Sequence, residues 1–340
     1  MSQSQSQAGR GDDAFVSTGT LPAPAEIRAL LELARQRYGD DTDGAVADYI
    51  PALAGVDPAL FGICLTDTRG AGFAVGDAEH PFTLQSLSKP FVFALVCEAL
   101  GGRRVAELLG VDATGLPFNS VIAVELDPDR ATNPMVNSGA IAATSLVPGA
   151  DAQARWATLH AGLSRFAGRA LDFDAQVYAS EAATNQRNAG IAHLLRGYGR
   201  MYCDPVEATD VYTRQCALLV TTRDLATMGA TLAGGGVNPL TGERVVSPGT
   251  SRRVLAVMAT AGLYERSGEW LYDVGLPGKS GVSGGIVTVA PGKGALATFS
   301  PRLDASGNSV RGRLVTRYLS KRLGLNLFAS SAGTPPEGAS

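Results

Sequence analysis

Two pairs of strand-like runs, one near each end of the chain, constrain the fold more than any other feature. F-G-I-C-L-T-D and G-F-A-V-G-D, from Phe61 and Gly72, flank a short turn at Thr68 to Gly70. G-I-V-T-V-A-P and G-A-L-A-T-F-S, from Gly285 and Gly294, flank Gly292 and Lys293. Each pair reads as an antiparallel hairpin, and the stretch between the pairs reads as mostly helical. The expectation is an α+β fold. Its antiparallel sheet comes from both chain ends, about 55–80 and 268–300, packed with helices and joined to a mostly helical lobe at about 86–265.

The chain has 340 residues, 45% of them hydrophobic, enough to bury a large core. Ile27, Leu30, Leu31, Leu33 and Ala34 recur at helical spacing ahead of Gly39, and S-V-R-G-R-L-V-T-R-Y-L-S-K-R-L reads as a closing helix. The polar ends, 1–22 and 329–340, are expected to be disordered tails around a single domain at 23–328. A net charge of -3 leaves no basic stripe for nucleic acid. With no secretory h-region and no membrane-length apolar run, the expectation is a soluble, cytoplasmic protein without membrane contact. Cys64, Cys97, Cys203 and Cys216 form no C-x-x-C pair and read as buried free thiols, and His80, His160 and His193 have no ligand spacing. Neither metal nor cofactor is implied.

Q-S-L-S-K-P, at 85–90, follows the first hairpin and opens the apolar stretch F-V-F-A-L-V-C-E-A-L, which ends at Gly101. Ser86 is thereby placed at a helix N-terminus, on one face with Lys89 three residues on, and Pro90 falls in the first turn. A serine hydroxyl is a poor nucleophile until a base takes its proton, and a desolvated lysine can be that base. An isolated S-x-x-K is more often a capping serine before a surface lysine. Here L-P-G-K-S-G-V-S-G-G, at 276–285, supplies a K-S-G triplet just before the late hairpin, the order found in penicillin-recognising serine enzymes. Lys279 is expected to raise the local positive potential and keep Lys89 neutral. Two decoys fall away. G-V-S-G-G matches a nucleophile elbow, yet no histidine follows 193 and a strand follows the serine. G-L-P-G-K-S lacks the first glycine and the helix of a phosphate loop.

With these motifs placed, the chain resembles the serine-dependent glutaminase family, whose catalytic domain is similar to β-lactamases and transpeptidases. D-Y-I-P-A-L-A, N-P-M-V-N-S-G-A-I, S-E-x(5)-R-N, the Tyr212 region, L-T-G-E-R-V-V-S-P and S-P-R-L-D-x-x-G-N-S-V extend the resemblance from about 24 to 327. It implies hydrolysis of L-glutamine to glutamate and ammonia through a Ser86 acyl-enzyme, with Lys89 as base and Tyr264 sharing proton transfer. It further implies substrate contacts from Tyr49, Ser86, Asn137, Glu181, Asn188, Tyr212 and Tyr264, an oxyanion hole from the backbone of Ser86 and Val282, and a homo-oligomer, dimer or tetramer. Glu181 suits the substrate ammonium. Two alternatives stand beside this: a penicillin-recognising hydrolase or transpeptidase, and a non-catalytic amino-acid-binding member of the fold.

Overall fold

A computed structural model describes residues 20–329; almost all of both expected tails lies outside that range. The strands are β1 (Gly62–Asp67), β2 (Gly72–Gly76), β3 (Phe82–Thr83), β4 (Asp172–Phe173), β5 (Leu218–Val220), β6 (Gly278–Ser280), β7 (Gly285–Ala290) and β8 (Gly294–Phe299). Five form one antiparallel sheet in the order β2-β1-β8-β7-β6. Both expected hairpins are present, and β1 pairs with β8, Gly62 opposite Phe299 and Asp67 opposite Gly294, so the chain ends meet in mid-sheet. The expected α+β class holds.

Both faces of this sheet are covered at its centre, which explains why β1, β7 and β8 carry buried side chains on both faces instead of alternating buried with exposed ones. Along β8, Ala295, Ala297 and Phe299 point into the core shared with the helical side, while Leu296 points into the other layer. That second layer is built by the helices Pro24–Tyr38 and Val310–Arg322, through Ile27, Leu31, Val315 and Leu319. On the first face the helix Thr222–Ala233 lies hard against the strands. A Cβ at Gly229 would fall 2.6 Å from the Ala295 Cβ and 2.7 Å from Val287 Cγ2, so only glycine permits this approach.

Four expectations need correction or narrowing. Residues 268–274 are not sheet: S-G-E-W-L-Y-D-V forms the helix Ser267–Val274, with Trp270 and Val274 one turn apart facing the core and Gly275 closing it in the left-handed region. The helical middle also contains strand, because β3, β5 and β4 form a small antiparallel sheet. Pairs this short leave no periodic signal. Ser86 lies on a 3-10 turn, Gln85–Ser88, and the α-helix Lys89–Leu100 begins only at the lysine. Of the four thiols, Cys203 is only half-buried.

Candidate active site

The segment from β3 into the 3-10 turn and helix Lys89–Leu100 sets the floor of a cleft. Gln85 takes a left-handed φ of 49°, which turns the chain sharply before Ser86. Ser86 is 7% exposed and Lys89 only 1%. The Lys89 Nζ donates to Asn137 Oδ1 at 2.6 Å. Asn137 opens the helix Asn137–Ser145, and its backbone N–H donates to the Phe118 carbonyl at 2.8 Å. Its Nδ2 donates to Asn188 Oδ1 at 3.0 Å, and the Tyr212 hydroxyl donates to Asn137 Oδ1 at 3.3 Å. Four residues singled out in the sequence thus share one network. Glu181 stands beside it, accepting from Gln85 Nε2 at 3.3 Å.

The sheet closes the other side. Tyr264 also has a left-handed backbone, φ 59°, and its hydroxyl donates to the Ser280 carbonyl at 3.2 Å. Lys279 is fully buried; its Nζ donates to the same carbonyl at 2.7 Å and lies 4.2 Å from the Tyr264 ring centroid. The Phe118 ring covers Tyr264 from above, centroids 4.6 Å apart. In the turn after β6, Gly284 N–H donates to the Gly281 carbonyl, and among the described residues neither the Ser86 nor the Val282 backbone N–H is taken up by another protein group. Both stay available to a ligand oxygen.

Burial dominates the electrostatics. It lowers the Lys89 amine to about 7, so near neutrality a large fraction carries no charge. It raises Glu181 to about 7, with the Gln85 amide and Lys89 pulling the other way. Tyr264 is raised to about 12 by burial, with the adjacent Ser86 hydroxyl and Ser280 opposing, and so remains a phenol. Lys279 was expected to hold Lys89 neutral. Instead burial accounts for the lowering of Lys89, and Lys279 is itself held well below its ordinary range, first by burial and then by Lys89. Glu181 favours the charged form of Lys89, but burial pushes that carboxyl itself toward its neutral acid, and two ammonium groups this deep cost more than the neutral amine.

The cleft, open to solvent, is lined by Ser86, Asn137, Glu181, Asn188, Tyr212, Val282 and, at its mouth, Tyr49, which is 56% exposed. Lys89 and Tyr264 sit behind Ser86. Gln85, Phe118, Asn119 and Arg187 also line or brace it. Arg187 Nη1 donates to the Asn119 carbonyl at 3.3 Å across the opening. Sequence reasoning missed these four. Gln85 and Arg187 adjoin motif residues, whereas nothing local marks Phe118 and Asn119.

A sheet from both chain ends, a helical side, and a buried S-x-x-K facing K-S-G define the class of serine β-lactamase-like proteins. Within it, the Glutaminase family model matches residues 44–328, more than half of the chain. "Glutaminase 2" of Yersinia pestis is 57% identical over 320 residues, 94% of each chain. Among solved structures, "Probable glutaminase ybaS" aligns with a TM-score of 0.89 at 44% identity, covering 91% of this chain and 100% of that one. "Probable glutaminase from Bacillus subtilis complexed with 6-diazo-5-oxo-L-norleucine" aligns with a TM-score of 0.80 at 30% identity, covering 89% and 96%. The chain belongs to the glutaminase family.

Proposed function

We propose that this member of the glutaminase family, an amidohydrolase, cleaves the side-chain amide of L-glutamine through an acyl-enzyme on Ser86. The observation that carries the reading is a lysine buried to 1% exposure three residues from a serine whose own N–H and that of Val282 stand unused. Neutral Lys89 takes the Ser86 proton as Oγ attacks the amide carbon. The two N–H groups stabilise the oxyanion, each worth about 3 kcal/mol in the transition state. Tyr264 passes its proton to the leaving nitrogen and is restored by the one Lys89 took from Ser86, ammonia departs, and the amine, neutral again, acts directly or through Tyr264 to activate the water that hydrolyses the ester. Glu181 receives the substrate ammonium, while the amide and phenol donors of Asn137, Asn188 and Tyr212 serve the carboxylate and the amide. Tyr49 lines the mouth.

The family match favours this over the penicillin-recognising alternative. The amino-acid-binding alternative is separated by one assay: ammonia release from L-glutamine and L-asparagine by wild type and Ser86→Ala. Glutamine-selective release, reduced at least about 10^4-fold by the substitution, is expected. Release that survives Ser86→Ala sinks the acyl-enzyme, and binding without release would mark a sensor. We also propose a cytoplasmic location and a homo-oligomer, dimer or tetramer, the latter supported by family resemblance. No helix among the described residues is long and apolar enough to cross a membrane.

A further inference from the structure

We infer that Asn308 is a positioning residue for the hydrolysis: through Ser280 it fixes the backbone carbonyl on which Tyr264 and Lys279 are both anchored. This rests on the reading of Ser86, Lys89 and Tyr264 given above and deepens it.

Ser280 ends β6, and its carbonyl accepts from the Tyr264 hydroxyl at 3.2 Å and from Lys279 Nζ at 2.7 Å. Two residues further on is Val282, whose unused N–H is the second oxyanion donor on the reading above. The orientation of one peptide therefore sets the phenol, the buried amine and the approach to the oxyanion donor. Yet β6 is three residues long and lies at the sheet edge, paired only with β7. The main chain holds this peptide from one side. The other hold comes from its side chain: Ser280 Oγ donates to Asn308 Oδ1 at 2.6 Å, across 28 residues of sequence, with both residues fully buried.

Asn308 is rigidly placed. Its N–H donates to Asp304 Oδ1 at 3.0 Å, its carbonyl accepts from the Asp304 N–H at 2.8 Å, and Asp304 Oδ2 accepts from Arg313 Nη1 at 2.7 Å. The same turn backs the site directly. At Gly307, φ 83°, a Cβ would lie 3.8 Å from Val282 Cγ1 and 4.0 Å from Tyr264 Cε2. Asn308 Nδ2, by contrast, is buried with no partner among the described residues. An unpaired buried amide is a local cost that an apolar residue would remove, and such a cost tends to persist where the other half of the group serves function.

The test is steady-state glutamine hydrolysis by the full chain, resolving kcat and KM for Asn308→Ala, Ser280→Ala, their combination, and Asn308→Asp. Ser280→Ala removes Oγ and keeps the anchoring carbonyl. Asn308→Ala and Ser280→Ala are each expected to lower kcat roughly 30-fold with KM within about threefold, inside the hundredfold that a misplacement of about 1 Å costs. The double variant should be no worse than either single one, because both cut the same link. Asn308→Asp keeps Oδ1 as acceptor and should stay within about fivefold of wild type in kcat. Unchanged kcat in Asn308→Ala, or losses that multiply in the double variant, overturns the inference. Should Asn308→Ala fail to fold, Ser280→Ala with unchanged kcat overturns it as well. Ser86→Ala run in parallel separates the levels. If it is inactive while Asn308→Ala keeps its kcat, only the positioning role falls; if it stays active, the mechanism and the inference fall together.

Discussion

The floor and the rim of the cleft are built differently. On the floor, Lys89, Lys279 and Tyr264 are 1%, 0% and 5% exposed, held by short bonds to Asn137 and to the Ser280 carbonyl. At the rim, Asn188 is half-buried, Arg187 is exposed and Tyr49 is 56% exposed. The floor also takes up backbone strain: two of the three non-glycine residues with left-handed φ among those described, Gln85 and Tyr264, flank the serine. Proton chemistry needs an amine stripped of its charge, and only burial does that. Recognition needs donors and acceptors that a polar substrate can reach from water. Substitutions on the floor should therefore act on kcat, and those at the rim on KM.

The largest effect should come from the floor. Lys89→Met is expected to lower kcat about 10^3-fold, the middle of the range for removing a general base. It should also raise the melting temperature at pH 7. The folded-state amine titrates at about 7 against an ordinary 10.5, so folding a protonated lysine there carries a cost that is full below about 7 and fades as pH rises toward 10.5. Methionine removes that cost, and Asn137 Oδ1 keeps the Tyr212 hydroxyl as donor. A variant that loses activity and also melts lower would show that the amine supports the fold, contrary to the contrast drawn here.

Glu181→Gln sits between the layers. It keeps the shape and the contact with Gln85 but not the charge, and should raise KM for glutamine about 30-fold, roughly 2 kcal/mol, with kcat within about threefold. Isothermal titration of glutamate into the Ser86→Ala protein checks binding without turnover. A kcat loss larger than the KM rise would move Glu181 to the floor.

Next is pH. On the proposed mechanism the competent free enzyme needs Lys89 neutral and Glu181 ionised, and burial brings each to about 7. Both conditions fail as protons are added, so kcat/KM should fall at least about tenfold from pH 8 to pH 6. In Glu181→Gln one titration is gone and the acid limb should be shallower. An identical limb would leave Lys89 as the sole group that matters.

The same division decides what the sequence reveals. The hairpins were readable because strands of five and six residues ending in glycine turns carry their own signal. The floor was readable because S-x-x-K puts the serine and the lysine within one turn. β3, β4 and β5, at two or three residues each, were not, since long-range pairing alone defines them. Phe118 and Asn119 were missed for a similar reason. They reach the cleft only because the Phe118 carbonyl accepts from the Asn137 N–H and its ring packs, tilted, against Tyr264, partners apart in sequence. The origin of the Lys89 shift was misjudged because a sequence displays neighbouring charges but not burial.

The smallest effect should be at the mouth. Tyr49→Phe removes one hydroxyl from a residue that is 56% exposed overall, although burial raises the phenol above its ordinary range and that end lies toward the cleft, near Tyr264 and Glu181. One neutral hydrogen bond at the low end of its usual worth contributes about 0.5 kcal/mol, so KM should change by less than about threefold and kcat not at all. If KM instead rises tenfold or more, Tyr49 must be desolvated when glutamine is bound. The rim would then close over the substrate, and the division between a dry floor and a wet rim would describe the free protein only.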